Sequence, residues 1–154
     1  MPGDALGSVV LDIDHVGIAV RDLQAAVEEY RSSLGVEPVH RERVEDQGVE
    51  EVLFPVGTSY VQLLAATGPD TPVGKFLERR GEGLHHVGYR VADVAAVLER
   101  LRSAGLPLVD EAPRPGSRGT TVAFVHPTGF RGVLVELVQE GPAAQTASSS
   151  GNLR

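Results

Sequence analysis

The sequence predicts an α+β protein made of two copies of a β-α-β-β-β module. The first observation is an internal repeat, in which HVGIAVRDLQAAVEEYRS (15–32) and HVGYRVADVAAVLERLRS (86–103) are identical at nine of 18 positions, at a constant offset of 71 residues. The second is that each copy changes from a β-branched run to a helical pattern at an aspartate, Asp22 or Asp93. A period this long is not that of a solenoid and indicates two modules packed as one domain.

Module one covers about residues 11–66. It begins with the strand IDHVGIAV, and Asp22 occupies the N-cap position of a helix that ends at Gly35. The helix is predicted from apolar residues at 3.6-residue spacing. Three further strands are expected, at roughly 37–44, 49–56 and 58–65.

Module two covers about residues 83–140 and follows the same plan. The strand LHHVGYRV leads to Asp93 at a helix N-cap, and Gly105 ends the helix. Its further strands are expected at 107–110, 119–125 and 131–138. The linker, 67–82, contains a short helix near 73–80.

Two terminal segments are expected to stand apart from this domain. Residues 1–10 form an N-terminal extension. The segment 141–154 consists mostly of small and polar residues, for which we predict disorder.

Composition narrows the range of functions. The chain has 154 residues and a net charge of −7, which argues against nucleic acid as a partner because phosphate binding needs a basic surface. It contains no cysteine, so any metal would need histidine and oxygen ligands. MPGDALGSVV has no signal-peptide pattern, and no apolar run reaches the ~18 residues of a membrane span. These features predict a soluble cytoplasmic protein with no membrane partner.

Polar residues stand at strand positions where apolar ones are expected. His15 and His86 are equivalent in the two modules, and YVQLL and LVELV place Gln62 and Glu136 in the last strand of each. Burying such groups without partners costs several kcal/mol. If the modules pack about a pseudo-twofold axis, two imidazoles, one carboxylate and one amide oxygen can converge on one point.

These residues resemble the vicinal oxygen chelate superfamily, in which paired βαβββ modules form a cupped, mixed β-sheet around a divalent metal. Within it, the sequence is similar to methylmalonyl-CoA epimerases over about residues 12–140. The segments that carry the resemblance are DHVGIAV, EDQGVEEVLFPVG, YVQLL, GPDTPVGKFLERRGEGLHHVGYRV, DEAPRPGSRGT, VAFVHP and GVLVELV.

The resemblance implies a metal site and a reaction. The metal ligands would be His15, Gln62, His86 and Glu136, holding cobalt or else manganese, nickel, zinc or iron. The reaction would be epimerisation at C2 of methylmalonyl-CoA through a metal-stabilised enolate. Glu51 would be the base. Return of the proton to the opposite face could use Glu136, a water or rotation of the enolate, and the sequence leaves these open.

Other expectations concern residues around the site. Alternation along a strand places His85 on the face opposite His86, so His85 is expected to point away from the metal and to pack against a helix or a supporting residue. Coenzyme A carries phosphates, and its binding residues are expected among Lys75, Arg79, Arg80, Arg114, Arg118 and Arg131, with His126 near its entrance. A homodimer is expected.

Three alternatives stay open at this level. One is a pathway-specific enzyme of the same superfamily that acts on another acyl thioester or a natural-product intermediate. Another is a glyoxalase-I-like isomerase, a lactoylglutathione lyase, that uses the same enolate chemistry. The non-enzymatic alternative is an antibiotic-binding resistance protein, which the four ligand-type residues disfavour.

Overall fold

The β-α-β-β-β order occurs twice along the chain, as predicted, and the fold is α+β. The computed structural model describes residues 10–142. The predicted extension over 1–10 and the predicted tail over 141–154 therefore lie outside the described residues, apart from Val10, Gly141 and Pro142. The described residues form two compact units: unit A is Ile13–Gly88, and unit B consists of residues 10–12 and 89–142.

The described residues contain eight strands and three α-helices. Their bounds are β1 (Val10–Ala19), α1 (Leu23–Leu34), β2 (His40–Val44), β3 (Val49–Val56), β4 (Ser59–Ala66), α2 (Pro72–Arg80), β5 (Gly83–Val91), α3 (Val94–Ser103), β6 (Arg114–Pro115), β7 (Thr121–Val125) and β8 (Val135–Gln139). Between residues 10 and 142, no helix combines the length and the apolar character needed to cross a membrane.

Both repeated helices begin as the sequence predicts. The Asp22 carboxylate accepts a hydrogen bond from the Ala25 amide at 3.0 Å, and Asp93 accepts one from the Ala96 amide at 3.1 Å. Such a cap contributes about 1 kcal/mol by satisfying an amide that has no partner within the helix. Gly35 ends α1 in the left-handed conformation, with φ of 65°.

Unit A contains a mixed sheet with one polar face. Its strand order is β2-β3-β4-β1, in which β1 is parallel to β4 and the other neighbours are antiparallel. Helix α1 packs against one face of the sheet, where it covers Val52 and Phe54 of β3 and Leu63 of β4. The alternate residues Glu51 and Gln62 therefore point to the face that α1 does not cover.

Unit B repeats this alternation. Strands β8, β7 and β6 are antiparallel neighbours, and α3 packs against Val135 and Leu137 of β8. Glu136 lies between them in sequence and so points to the face opposite α3. Its side chain is nevertheless buried, with 4% of its surface exposed.

One predicted strand is wrong. In place of a strand at 107–110, the chain makes a single bridge between Leu108 and Val125, and β6 forms farther on. Pro107 has no amide hydrogen to donate, and the amides of Val109 and Asp110 both donate to the Phe124 carbonyl. Two amides that share one carbonyl interrupt the regular ladder, as at a β-bulge, and only the single bridge forms here.

Candidate metal centre and active site

The two repeat-equivalent histidines meet inside unit A. His15 on β1 and His86 on β5 are each 4% exposed, and their Nε2 atoms lie 2.8 Å apart. The rings are nearly perpendicular, with an interplanar angle of 82°. The two modules therefore contribute equivalent imidazoles to one buried point.

Asp14 holds the first of these imidazoles. Its side chain is fully buried, and its Oδ2 accepts a hydrogen bond from His15 Nδ1 at 2.7 Å. A carboxylate in this position fixes the proton on Nδ1 and leaves Nε2 as the nitrogen that bears the lone pair, as in many metal-ligating histidines. The contact therefore orients His15 so that Nε2 is the nitrogen that would bind a metal.

Two glycines provide the space for the histidine rings. A Cβ added to Gly17 would lie 2.6 Å from His86 Nδ1 and 2.9 Å from Gln62 Oε1. A Cβ added to Gly88 would lie 2.6 Å from His15 Nδ1. Each ring therefore lies over the glycine two residues beyond the opposite histidine. The repeated His-Val-Gly triplet is what makes this close approach possible.

Replacing Gly17 with alanine is expected to destabilise unit A, because the new methyl group would overlap the His86 ring and the Gln62 amide. Overpacking of this kind costs roughly 1–3 kcal/mol. Denaturant unfolding measures the change in the free energy of unfolding. Gly68→Ala is the matched control, since among residues 10–142 no atom other than those of its chain neighbours lies within 4 Å of a Cβ added there. Equal stability of the two variants would contradict the packing described.

Glu51 and Gln62 form a second pair beside the histidines. Strands β3 and β4 place Gln62 opposite Leu53 and Glu51 opposite Leu64, on one face. Gln62 Nε2 donates a hydrogen bond to Glu51 Oε2, and the two side chains are 7% and 1% exposed. Within the described part of the chain, neither Glu51 Oε1 nor Gln62 Oε1 has a hydrogen-bond partner.

The donor set of unit A fits a divalent metal. Two nitrogens bound to one ion at right angles, each at about 2.0–2.1 Å, lie about 2.9 Å apart, close to the observed Nε2 separation. Gln62 Oε1 is buried without a hydrogen-bond partner among residues 10–142 and borders the same space over Gly17 as His86. Imidazole and amide oxygen suit cobalt, manganese, nickel, zinc or iron. A bond from Gln62 Oε1 to a metal would account for a buried amide oxygen that has no hydrogen-bond partner in the described part of the chain.

His85 is closer to His86 than the sequence predicts. It packs edge-on against Phe76 of α2, with ring centroids 4.8 Å apart, but its Nδ1 also lies 2.8 Å from His86 Nδ1. The expected packing of His85 against a helix is therefore confirmed, and its contact with His86 Nδ1 is a further one that the sequence did not predict. Alternation separates the Cβ atoms of consecutive residues, but Nδ1 is bonded directly to Cγ, so neighbouring rings can meet near the backbone.

The remaining predicted site residues lie on several elements. Glu136 is buried on β8, and the His126 Nδ1 accepts a hydrogen bond from the Thr128 amide, which caps a short turn. Arg114 lies over the Phe124 ring at 5.9 Å. The other residues predicted for coenzyme A binding are partly or fully exposed: Lys75, Arg79, Arg80, Arg118 and Arg131.

Sequence reasoning missed three residues that shape the site. Asp14 and the glycines Gly17 and Gly88 were not singled out. Both glycines are identical in the two repeat copies, and Asp14 stands directly before a proposed ligand. The repeat therefore contained the signal, although it did not show which residues make contact.

Comparisons with known proteins agree with one another. A family model described as "Glyoxalase/Bleomycin resistance protein/Dioxygenase superfamily" matches residues 14–124. An ethylmalonyl-CoA/methylmalonyl-CoA epimerase of Cereibacter sphaeroides is 38% identical over 129 residues, which cover 82% of this chain and 96% of that protein.

Solved structures give the same result. A variant of the Streptomyces coelicolor methylmalonyl-CoA epimerase in complex with 2-nitronate-propionyl-CoA is 42% identical, with a TM-score of 0.84 over 86% of this chain and 96% of its own. The methylmalonyl-CoA epimerase of Mycobacterium tuberculosis is 41% identical, with a TM-score of 0.84 over 90% and 93%. Sequence and structure comparisons therefore lead to the same group of proteins.

Proposed function

Because this chain belongs to the methylmalonyl-CoA epimerase family of the glyoxalase/bleomycin resistance protein/dioxygenase superfamily, we propose that it is an isomerase that inverts C2 of methylmalonyl-CoA with the help of a divalent metal. The observation that carries the proposal is the buried Glu51 carboxylate. One of its oxygens is held by Gln62, and the other has no hydrogen-bond partner among residues 10–142.

Four residues would hold the metal. His15, His86 and Gln62 supply two imidazoles and an amide oxygen from unit A, and we propose Glu136 as the fourth ligand. Its support is that it is buried and lies in the last strand of module two, as Gln62 does in module one. When bound, the ion would act as a Lewis acid that stabilises negative charge on the substrate oxygens. Only one of the four ligands is anionic, so the loaded site would keep a net positive charge, which favours the substrate carboxylate and, still more, the dianionic enolate.

Glu51 would transfer the proton. The C2 proton would move to Glu51 Oε1, and the electron pair of the C–H bond would delocalise into the thioester carbonyl to give an enolate. Gln62, which donates to Oε2, would hold the carboxylate in place while Oε1 faces the substrate. The nitronate bound by the Streptomyces coelicolor relative is a planar anion of enolate-like shape, which supports this course.

Several finer points belong to the same proposal. We propose cobalt as the metal and Glu136 as a candidate for returning the proton to the opposite face of C2. We propose coenzyme A contacts from Lys75, Arg114, Arg118, Arg131 and His126. A homodimer and a cytoplasmic location remain predictions. The large exposed fractions of Ile13 and Leu84, 43% and 69%, are compatible with a covered surface in a dimer.

Solvent exchange tests the proposed function. In D₂O, cobalt-loaded protein is expected to incorporate one deuterium at C2 of methylmalonyl-CoA, because each proton removed from C2 to Glu51 exchanges with solvent before it returns. Mass spectrometry of the recovered thioester measures the uptake. Protein stripped of metal by a chelator is the control and is expected to show no exchange until metal is restored.

Comparing methylmalonyl-CoA, ethylmalonyl-CoA and the methylglyoxal–glutathione adduct as substrates separates the alternative functions. Ethylmalonyl-CoA is included because the Cereibacter sphaeroides relative is described as acting on both thioesters. Faster turnover of the methylglyoxal–glutathione adduct would favour the glyoxalase-like alternative. No exchange into either acyl-CoA with cobalt, manganese, nickel or zinc would contradict the epimerase proposal.

A further inference from the structure

Leu53 is a buried apolar side chain on the polar face of unit A. It is 2% exposed, yet it belongs to none of the three apolar clusters formed by the described residues. Its neighbours on β3, Val52 and Phe54, pack on the face that α1 covers. Alternation therefore directs Leu53 to the other face, which carries the candidate active site.

Strand register places Leu53 in one row with the candidate metal ligands. Gly17 on β1 is paired with Gln62 on β4, and Gln62 is paired with Leu53 on β3. Paired residues share a face, and two strand spacings separate Gly17 from Leu53 by roughly 10 Å. The space over Gly17 contains the His86 ring and Gln62 Oε1. The row therefore runs from the candidate ligands across Gln62 to Leu53.

The proposed base stands beside the same row. Glu51 precedes Leu53 by two positions on β3, so the two side chains share a face and lie about 7 Å apart along the strand. Gln62 holds Glu51 Oε2, and Glu51 Oε1 has no hydrogen-bond partner among residues 10–142. A base, a candidate ligand and one leucine thus surround a single patch of this face.

The shape of the enolate indicates where the alkyl group on C2 would lie. Once its proton is removed, C2 is trigonal, and the thioester carbon, the carboxylate carbon and the alkyl carbon share its plane. The two groups whose oxygens carry the negative charge would face the metal ligands, so the alkyl group would point away from them. Because C2 must also be within reach of Glu51 on β3, this direction leads along the row from Gln62 to Leu53.

We propose that Leu53 is a specificity-determining residue that contacts the alkyl substituent on C2 of the substrate. Its side chain provides an apolar contact that neither Gln62 nor Glu51 can offer, and its size limits how large the substituent can be. The inference rests on the epimerase proposal and narrows the substrates to malonyl thioesters that carry a small alkyl group at C2.

Competition between methylmalonyl-CoA and ethylmalonyl-CoA tests the role of Leu53. Leu53→Ala is expected to raise the ratio of ethylmalonyl to methylmalonyl exchange about tenfold or more, because one methylene in an apolar pocket changes specificity about 10–200-fold. Leu53→Phe is expected to lower the ratio. Deuterium uptake into both thioesters in one sample measures it. Leu63→Ala is the matched control: Leu63 is fully buried on the α1 face of β4, so its truncation should lower stability and leave the ratio unchanged.

Two further measurements separate specificity from folding. Leu53→Val removes only one methylene and is expected to shift the ratio in the same direction as Leu53→Ala. Propionyl-CoA and butyryl-CoA carry the same two alkyl groups without the carboxylate, and Leu53→Ala is expected to raise the affinity for butyryl-CoA relative to propionyl-CoA in calorimetric titrations.

The outcomes distinguish the inference from the function on which it rests. If Leu53→Ala and Leu53→Val slow both malonyl thioesters equally, Leu53 is a packing residue, so the inference is overturned and the epimerase proposal stands. An unchanged ratio of butyryl-CoA to propionyl-CoA affinity would overturn it as well. If the wild-type chain exchanges neither malonyl thioester, the epimerase proposal fails and the inference fails with it.

Discussion

Replacing His86 with alanine is expected to abolish metal binding and to lower the rate of C2 exchange about a thousandfold or more. The variant loses one of two imidazoles whose Nε2 atoms lie 2.8 Å apart. Lewis-acid stabilisation of an enolate contributes several kcal/mol, and each 1.36 kcal/mol corresponds to a factor of ten in rate. Metal content after dialysis and deuterium uptake into methylmalonyl-CoA measure the two effects.

The controls for His86→Ala address folding and specificity. His86→Asn retains a polar side chain over Gly17, so loss of metal in both variants separates ligation from packing. His15→Ala is expected to behave like His86→Ala, because the two residues are equivalent in the repeat. His40→Ala should keep both metal and activity. A His86→Ala protein that retains one metal per chain and full exchange would remove His86 from the ligand set.

The repeat explains why so much of the architecture could be predicted. Identity between residues 15–32 and 86–103 defines the module, and Asp22 and Asp93 cap the two helices as expected. The same comparison singled out His15 and His86, which do meet in unit A. Strand periodicity, capping and internal equivalence are local properties, and they can be read along the chain without knowledge of packing.

Other features depend on contacts that periodicity does not encode. The meeting of His85 and His86 through Nδ1 is decided by side-chain torsion angles, whereas alternation describes only the direction of Cβ. The space over Gly17 depends on the approach of a ring from β5, 69 residues farther along the chain. The predicted strand at 107–110 failed because Val109 and Asp110 share one carbonyl acceptor. For Gly17 and for residues 107–110, a second segment of the chain decides the outcome.

Glu51 shows how local pattern and tertiary contact combine. Strand alternation directs Glu51 and Glu50 to opposite faces of β3. The structure buries Glu51 at 1% exposure, while the Glu50 side chain is 46% exposed beside Arg41. Only the structure shows that Gln62 holds one oxygen of Glu51. In the proposed function, Glu51 would therefore have two separable tasks: accepting the C2 proton and orienting a candidate metal ligand.

Glu51→Gln is expected to lower C2 exchange by about 10²–10⁴-fold while the protein keeps its metal. An amide cannot take up the proton, and general-base catalysis contributes that range. Its oxygen can still accept from Gln62 Nε2, so the orientation of Gln62 is retained. Deuterium uptake and metal content are measured on the same sample. Glu50→Gln, the neighbouring residue on the other face, should leave both unchanged.

Glu51→Leu separates the two tasks of Glu51, because leucine can neither accept a proton nor hold the Gln62 amide. It is expected to lose exchange as Glu51→Gln does and, in addition, to bind metal more weakly. If Glu51→Gln exchanges at the wild-type rate while Glu51→Leu does not, Glu51 acts through Gln62 as a positioning residue and another group removes the proton. If both variants stay active, Glu51 has neither role. The two substitutions together therefore assign the base independently of the metal ligands.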